Sequence, residues 1–161
     1  MNSLVVYSSK TGNTKKLADA LFEALEGEKE IFPIADAPDP DGYDLIAVGF
    51  WLMAGKPDPQ STQYLEKIRE KNLFLFATHG AANKSDHARN ALKTAGELAA
   101  GSRIVGSYNC QGEVNPRVLE KVKAKPSPPV WLDDVPGAVG HPDASDITEI
   151  KRLASSLDFE G

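Results

Sequence analysis

The sequence predicts an α/β fold: a parallel sheet with helices packed on both faces. Three observations predict it. Apolar runs and helical patterns alternate along nearly the whole chain. Several of the runs are almost continuously apolar, as strands covered on both faces are. The segments between them are long enough for the right-handed crossovers that parallel strands require.

Strands are expected at 3–7, 29–33, 45–50, 73–78 and 103–108, and the first, third and fourth are the most apolar. Helices are expected at 14–26, 61–71 and 85–100. In the first of these Leu17, Ala18, Leu21, Phe22 and Leu25 form one apolar stripe at helical spacing. Gly27 and Gly101 follow two helix ends, where a left-handed residue is expected. The second crossover is missing, because Ala35-Asp36-Ala37-Pro38-Asp39-Pro40-Asp41-Gly42 cannot form a helix. Asn115-Pro116 opens a further helix, with a cap and a proline at the first position, running to about residue 125. A proline-rich stretch over 126–142 contains Trp131 and the pair Asp133-Asp134. Asp146 with Glu149 reads as the capping box of a last helix through Leu157.

With 161 residues, the chain is expected to form a single domain with one sizeable core. Its formal charge of −5 argues against nucleic acid and suits docking to a basic protein surface. A single cysteine, Cys110, excludes an internal disulfide and a cysteine-ligated cluster. No basic start with an apolar stretch opens the chain, and no run approaches the length of a membrane span, so no membrane partner and a cytoplasmic location are expected.

The most informative segment is Ser8-Ser9-Lys10-Thr11-Gly12-Asn13-Thr14, which lies between the strand Leu4-Val5-Val6-Tyr7 and the first helix. A strand that ends in hydroxyls and glycine and then starts a helix suits an anion. The unpaired N–H groups of the first turn face the loop, and the helix dipole favours negative charge there. Ser9, Thr11 and Thr14 add hydroxyls, while Gly12 lets the backbone curl close to a ligand. The segment has neither the G-x-x-x-x-G-K-[ST] spacing of a nucleoside triphosphate loop nor the G-x-G-x-x-G spacing of a dinucleotide site. A terminal phosphate monoester, bound and left unreacted, fits it best.

At this position S-x-T-G-N-T resembles the phosphate loop of the flavodoxins, which bind flavin mononucleotide (FMN). The resemblance implies a three-layer sandwich on a five-stranded parallel sheet in the order 2-1-3-4-5, with FMN at the strand ends. It implies phosphate contacts from Ser9, Lys10, Thr11, Gly12, Asn13 and Thr14. Ring contacts would come from Phe50, Trp51, Leu52 and Gly55 after the third strand, where two adjacent aromatics at an exposed strand end need a cover. Trp51 is the expected flanking aromatic, and Phe50 is the better candidate for plugging the core. Thr78, His79 and Gly80 after the fourth strand would face the pyrimidine edge, and Gln111 could bond the flavin edge. That third loop lacks the stacking aromatic of many flavodoxins and has only His79, which reads better as a hydrogen-bonding histidine than as a proton donor. Lys56 is either a cation tuning the flavin or a solvated lysine, and Cys110 reads as a small buried residue. His79, His87 and His141 are not spaced like metal ligands.

The resemblance is greatest to a small bacterial branch with Gly49-Phe50-Trp51, Cys110-Gln111-Gly112 and His141-Pro142 at these places. Part of that branch is associated with bilirubin reductases. The resemblance implies an FMN-binding electron carrier working between a reductase and an acceptor, with a bilirubin reductase as a suggested partner. An alternative is a flavin-dependent reductase or accessory subunit acting on a quinone or tetrapyrrole, because an open flavin face would admit substrate. A flavin-free interaction module is the third reading, disfavoured by the intact Ser9–Thr14 loop.

Overall fold

The computed structural model describes residues 2–53, 55–79, 86–114, 116–128 and 130–157. Its parallel strands are β1 (Asn2–Tyr7), β2 (Glu28–Pro33), β3 (Leu45–Met53), β5 (Asn72–His79) and β6 (Arg103–Gln111), and a two-residue strand, β4 (Lys56–Pro57), turns back antiparallel on β3. The sheet order is β2-β1-β3-β5-β6 with β4 off the path, so the expected order holds for the five parallel strands and the sheet has six rather than five. β4 escapes a periodicity reading because two residues set no period.

Helices α1 (Asn13–Ala24) and α5 (Ala144–Ser155) cover one face, and α2 (Pro59–Leu65) and α3 (Asp86–Leu98) cover the other. Strand alternation divides the core accordingly. Val5, Ala47, Phe74 and Phe76 pack with Leu17 and Leu21 of α1 and with Ile150 and Ala154 of α5. Leu4, Ile46, Val48, Phe50 and Leu75 pack with Tyr64 and Leu65 of α2 and with Ala95 of α3. The place of the missing crossover holds only a single 3-10 turn, Ile34–Asp36. Gly27 and Gly101 are left-handed, with φ of 83° and 72°.

Three expected features shift. Helix α2 begins at Pro59 and ends at Leu65, because Asp58 rather than Ser61 marks its start. The proline-rich stretch contains a 3-10 helix, Val130–Ala138. The capping box of α5 is Asp143 with Asp146, one turn ahead of the expected pair, and Glu149 instead pairs with Arg152. Helix α4 (Pro116–Lys123) opens at the expected proline. Among the described residues no helix is long and apolar enough to cross a membrane.

The last turn before α5 is organised around one carboxylate. Asp146 is buried and accepts from the Tyr108 hydroxyl at 2.8 Å and from the Asp143 N–H at 2.9 Å, and it pairs with His141 Nδ1 at 2.6 Å. Burial and the bond to Asp146 push the Tyr108 hydroxyl up, and the bond to Asp146 raises His141 above its ordinary value.

Two predictions follow from this packing. A β-carbon at Gly49 would overlap the ring of Phe76. Gly49→Ala should therefore cost about 1–3 kcal/mol in denaturant unfolding, with an unchanged m-value. His141 is raised in the folded protein, so its pairing adds stability that is complete below the unfolded value near 6.5 and is lost as pH rises through the folded value. The unfolding midpoint should fall above about pH 6.5 in wild type and stay flatter in His141→Gln, which denaturation curves across that range measure.

Candidate functional site

The carboxyl ends of β1, β3, β5 and β6 meet at one edge of the sheet, and the site is built there. Beyond β1, the Ser8 N–H donates to the Gly49 carbonyl of β3 at 2.9 Å, so the loop leaves from a fixed point. Ser9 Oγ then accepts from the Gly12 N–H at 3.1 Å and from the Lys15 N–H at 3.4 Å, which curls residues 9–15 into a ring. Gly12 is the N-cap of α1 with φ of 93°, and it supplies no side-chain cap. A β-carbon there would meet nothing within 4 Å, so the need for glycine is conformational and the space beside it is open. A helix start whose N-cap residue has no side chain, facing open space beside hydroxyl residues, fits a phosphate group.

The six loop residues divide by their side chains. Lys10 and Thr11 are exposed, and Ser9, Gly12 and Asn13 are half-buried. Thr14 is buried, with its hydroxyl 3.0 Å from that of Thr78 on β5. Asn13 turns away from the loop and donates to the Glu113 carbonyl at 3.1 Å, beyond the end of β6. Gly112 makes room for it, since a β-carbon there would lie 2.7 Å from Asn13 Nδ2. Thr14 and Asn13 thus brace the loop against β5 and β6.

On the ring side, β3 runs past the expected end at Phe50 and carries Trp51, Leu52 and Met53. Trp51 and Leu52 are half-buried, and Gly55, with φ of 78°, makes the turn into β4. Lys10 Nζ lies 5.3 Å from the Trp51 ring centroid, so a cation of the phosphate loop touches the expected flanking aromatic. Phe50 is corrected: it has no exposed surface and sits in the α2/α3 core with Tyr64 and Leu65, because it shares the face of Ile46 and Val48. Lys56 is exposed on β4.

His79 lies on β5 rather than in a loop. It is 7% exposed, its Nε2 is 2.9 Å from Asn109 Oδ1, and its carbonyl accepts from the Gly112 N–H at 2.8 Å. It faces Gln111 across the β5–β6 register. Gln111 is half-buried, with Gly137 of the 3-10 segment close to its side-chain amide. Gly80 and the alanines after it lie outside the described residues. Cys110 is fully buried, and burial pushes its thiol up, which keeps it protonated and inert.

Sequence reasoning missed Asp58. It is 1% exposed, and its carboxylate accepts from Ser8 Oγ at 2.9 Å, from the Ser61 N–H at 3.1 Å and from Ser61 Oγ at 2.8 Å. The signal was present in Asp58-Pro59, a cap followed by proline at the first helical position.

The family described as flavodoxin domain matches residues 4–155. The flavodoxin-like domain-containing protein BilS of Clostridioides difficile (strain CD3) is 32% identical, over 98% of this chain and 96% of its own length. Among solved structures, oxidised Flavodoxin 2 from Bacillus cereus superposes with a TM-score of 0.62 at 16% identity, covering 96% of this chain and 95% of its own. A flavoprotein in complex with FMN from Lactobacillus acidophilus NCFM gives 0.52 at 19% identity, over 67% of this chain and 92% of its own. The two structural likenesses speak for the fold, and the family match and the BilS relative speak for descent. FMN is the cofactor, and electron transfer is the general role. The chain belongs to the flavodoxin family.

Proposed function

We propose that this protein is an FMN-dependent electron carrier that moves electrons between a reductase and an acceptor enzyme. One observation carries the reading: the glycine-led α1 start, curled around Ser9, and Trp51 at the end of β3 lie on one edge of the sheet and touch through Lys10. An FMN molecule presents a phosphate at one end and a flat ring at the other, and this edge offers a partner for each.

Bound FMN supplies the redox chemistry, and the chain holds and orients it. Ser9, Lys10, Thr11, Gly12, Asn13 and Thr14 form the phosphate side, with the backbone N–H groups of the first helical turn as donors. Trp51, Leu52 and Gly55 form the ring side, and Thr78, His79 and Gln111 form the wall at the ends of β5 and β6. His79 serves as a hydrogen-bonded wall residue, its Nε2 engaged with Asn109. Phe50, fully buried in the α2/α3 core, anchors the end of β3 rather than facing the ligand.

The resemblance to the branch associated with bilirubin reductases favours a tetrapyrrole reductase as the acceptor, with this chain as its electron donor or accessory subunit. Such partners meet briefly, and a chain of net charge −5 suits a weak, salt-sensitive encounter with a basic face. A cytoplasmic setting fits this role.

The purified protein should be yellow and release FMN identified by mass. Once chemically reduced, it should pass electrons to a bilirubin reductase in stopped-flow mixing and show no sustained turnover of NAD(P)H with a quinone on its own. Steady quinone reduction by the protein alone would replace the carrier with the stand-alone reductase, and failure to take up FMN after reconstitution would leave neither.

A further inference from the structure

Asp58 stands between the two sides of the cradle. Its carboxylate accepts the hydroxyl of Ser8, where the phosphate loop leaves β1. Its own N–H donates to the Trp51 carbonyl at 3.0 Å, on the ring side. The same carboxylate caps α2 through Ser61, and the Asp58 carbonyl accepts from the Thr62 N–H at 2.9 Å. Ser8 is held from the other direction by Gly49. One buried residue therefore fixes the start of the phosphate loop, the strand residue bearing the ring aromatic, and the helix that follows.

We propose that Asp58 is a positioning residue that couples the phosphate side of the FMN cradle to its ring side. The proposal rests on the cradle assigned above. Capping alone does not account for the arrangement, because a capping carboxylate needs only the N–H groups of the first turn. Here one oxygen is shared with a hydroxyl that lies 50 residues away in the chain, and both partners are buried. A buried carboxylate is also an unfavourable neighbour for a phosphate anion unless it is fully hydrogen-bonded. The three donors on its two oxygens meet that requirement. The coupling means that the two ends of FMN are recognised by one rigid unit, so severing it weakens binding even though Asp58 touches neither end.

The test compares FMN with riboflavin, which lacks the phosphate, by titrating apo-protein and following flavin fluorescence. Asp58→Ala should raise the Kd for FMN roughly tenfold or more, since it removes hydrogen bonds to a charged group, and should raise the riboflavin Kd as well. Asp58→Asn, which retains an acceptor for Ser8 and a capable cap, should restore most of both affinities. Ser8→Ala should reproduce the FMN loss and add little in the Asp58→Ala background, because both changes break the same link. Thr62→Ala removes a bond from the same turn, the Thr62 hydroxyl to the Pro57 carbonyl at 3.2 Å, without touching Ser8. It should leave both affinities within about twofold.

Losses that add fully in the double variant would overturn the proposal, as would FMN affinity unchanged in Ser8→Ala. The Ser8 variant decides the matter even where Asp58→Ala does not fold. If wild-type apo-protein binds FMN and the variants bind it alike, the coupling fails and the cradle stands. If wild type binds no flavin, the cradle fails and takes the coupling with it.

Discussion

The structure depends on how closely β3 lies to its neighbour at Gly49. That residue pairs with Tyr7 on β1 and with Phe76 on β5, and the Phe76 ring fills the space its missing side chain leaves. Phe76 in turn packs with Phe74, Leu17 and Leu21, so the core between the sheet and α1 is locked to the centre of the sheet. The same Gly49 presents the carbonyl that holds Ser8. Side-chain packing on one face thus sets the point where the phosphate loop leaves the sheet. The α1 start has its place relative to Trp51 because these strands meet in this register.

Electrostatics builds on that frame. The α1 dipole favours an anion at its glycine N-cap, and Lys10 adds a cation that rests on the Trp51 ring. Opposing these is the buried charge of Asp58, whose bonds to Ser8 and Ser61 satisfy it locally. The carboxylate beside the phosphate-loop segment thus has no ion pair among the described residues and is held by hydroxyl and backbone donors instead. Such donors are neutral and directional, and they fix geometry where an ion pair would chiefly fix charge.

What the sequence made legible was local. The strand, loop and helix around Ser9 to Thr14 are contiguous, and their chemistry can be read without knowing what lies opposite. The sheet order followed from the family resemblance, while the strands followed from near-continuous apolar runs. Phe50 and Trp51 could have been told apart by alternation, because Ile46, Val48 and Phe50 share one face and Ala47, Gly49 and Trp51 share the other. Ending the strand at Phe50 hid this, since it placed Trp51 beyond the strand and outside its alternation. The capping box of α5 was ambiguous because Asp143 to Asp146 and Asp146 to Glu149 have the same spacing. Tertiary partners decided it: Tyr108 and His141 fix the Asp146 carboxylate facing back toward Asp143. Asp58 was hidden for the same kind of reason, its decisive partner Ser8 lying 50 residues away, just beyond β1.

The last third of the chain completes the cradle by bracing it from the β6 side. Asn13, at the start of α1, donates to the Glu113 carbonyl, and the Glu113 N–H donates to the His141 carbonyl at 2.9 Å. His141 is tied to Asp146, and Asp146 is tied to Tyr108 on β6. This path runs from the phosphate loop through the turn before α5 and back into the sheet. Gly112 is needed where the path crosses α1, because only a residue without a side chain leaves room for Asn13. The cradle is consequently held from two sides, by Ser8 and Asp58 at β3 and by Asn13 and Glu113 at β6. A loop tied at both ends loses little further freedom when a ligand enters it, so binding energy is not spent on ordering the site. The proline-rich segment takes part in this bracing through His141, whose carbonyl accepts the Glu113 N–H.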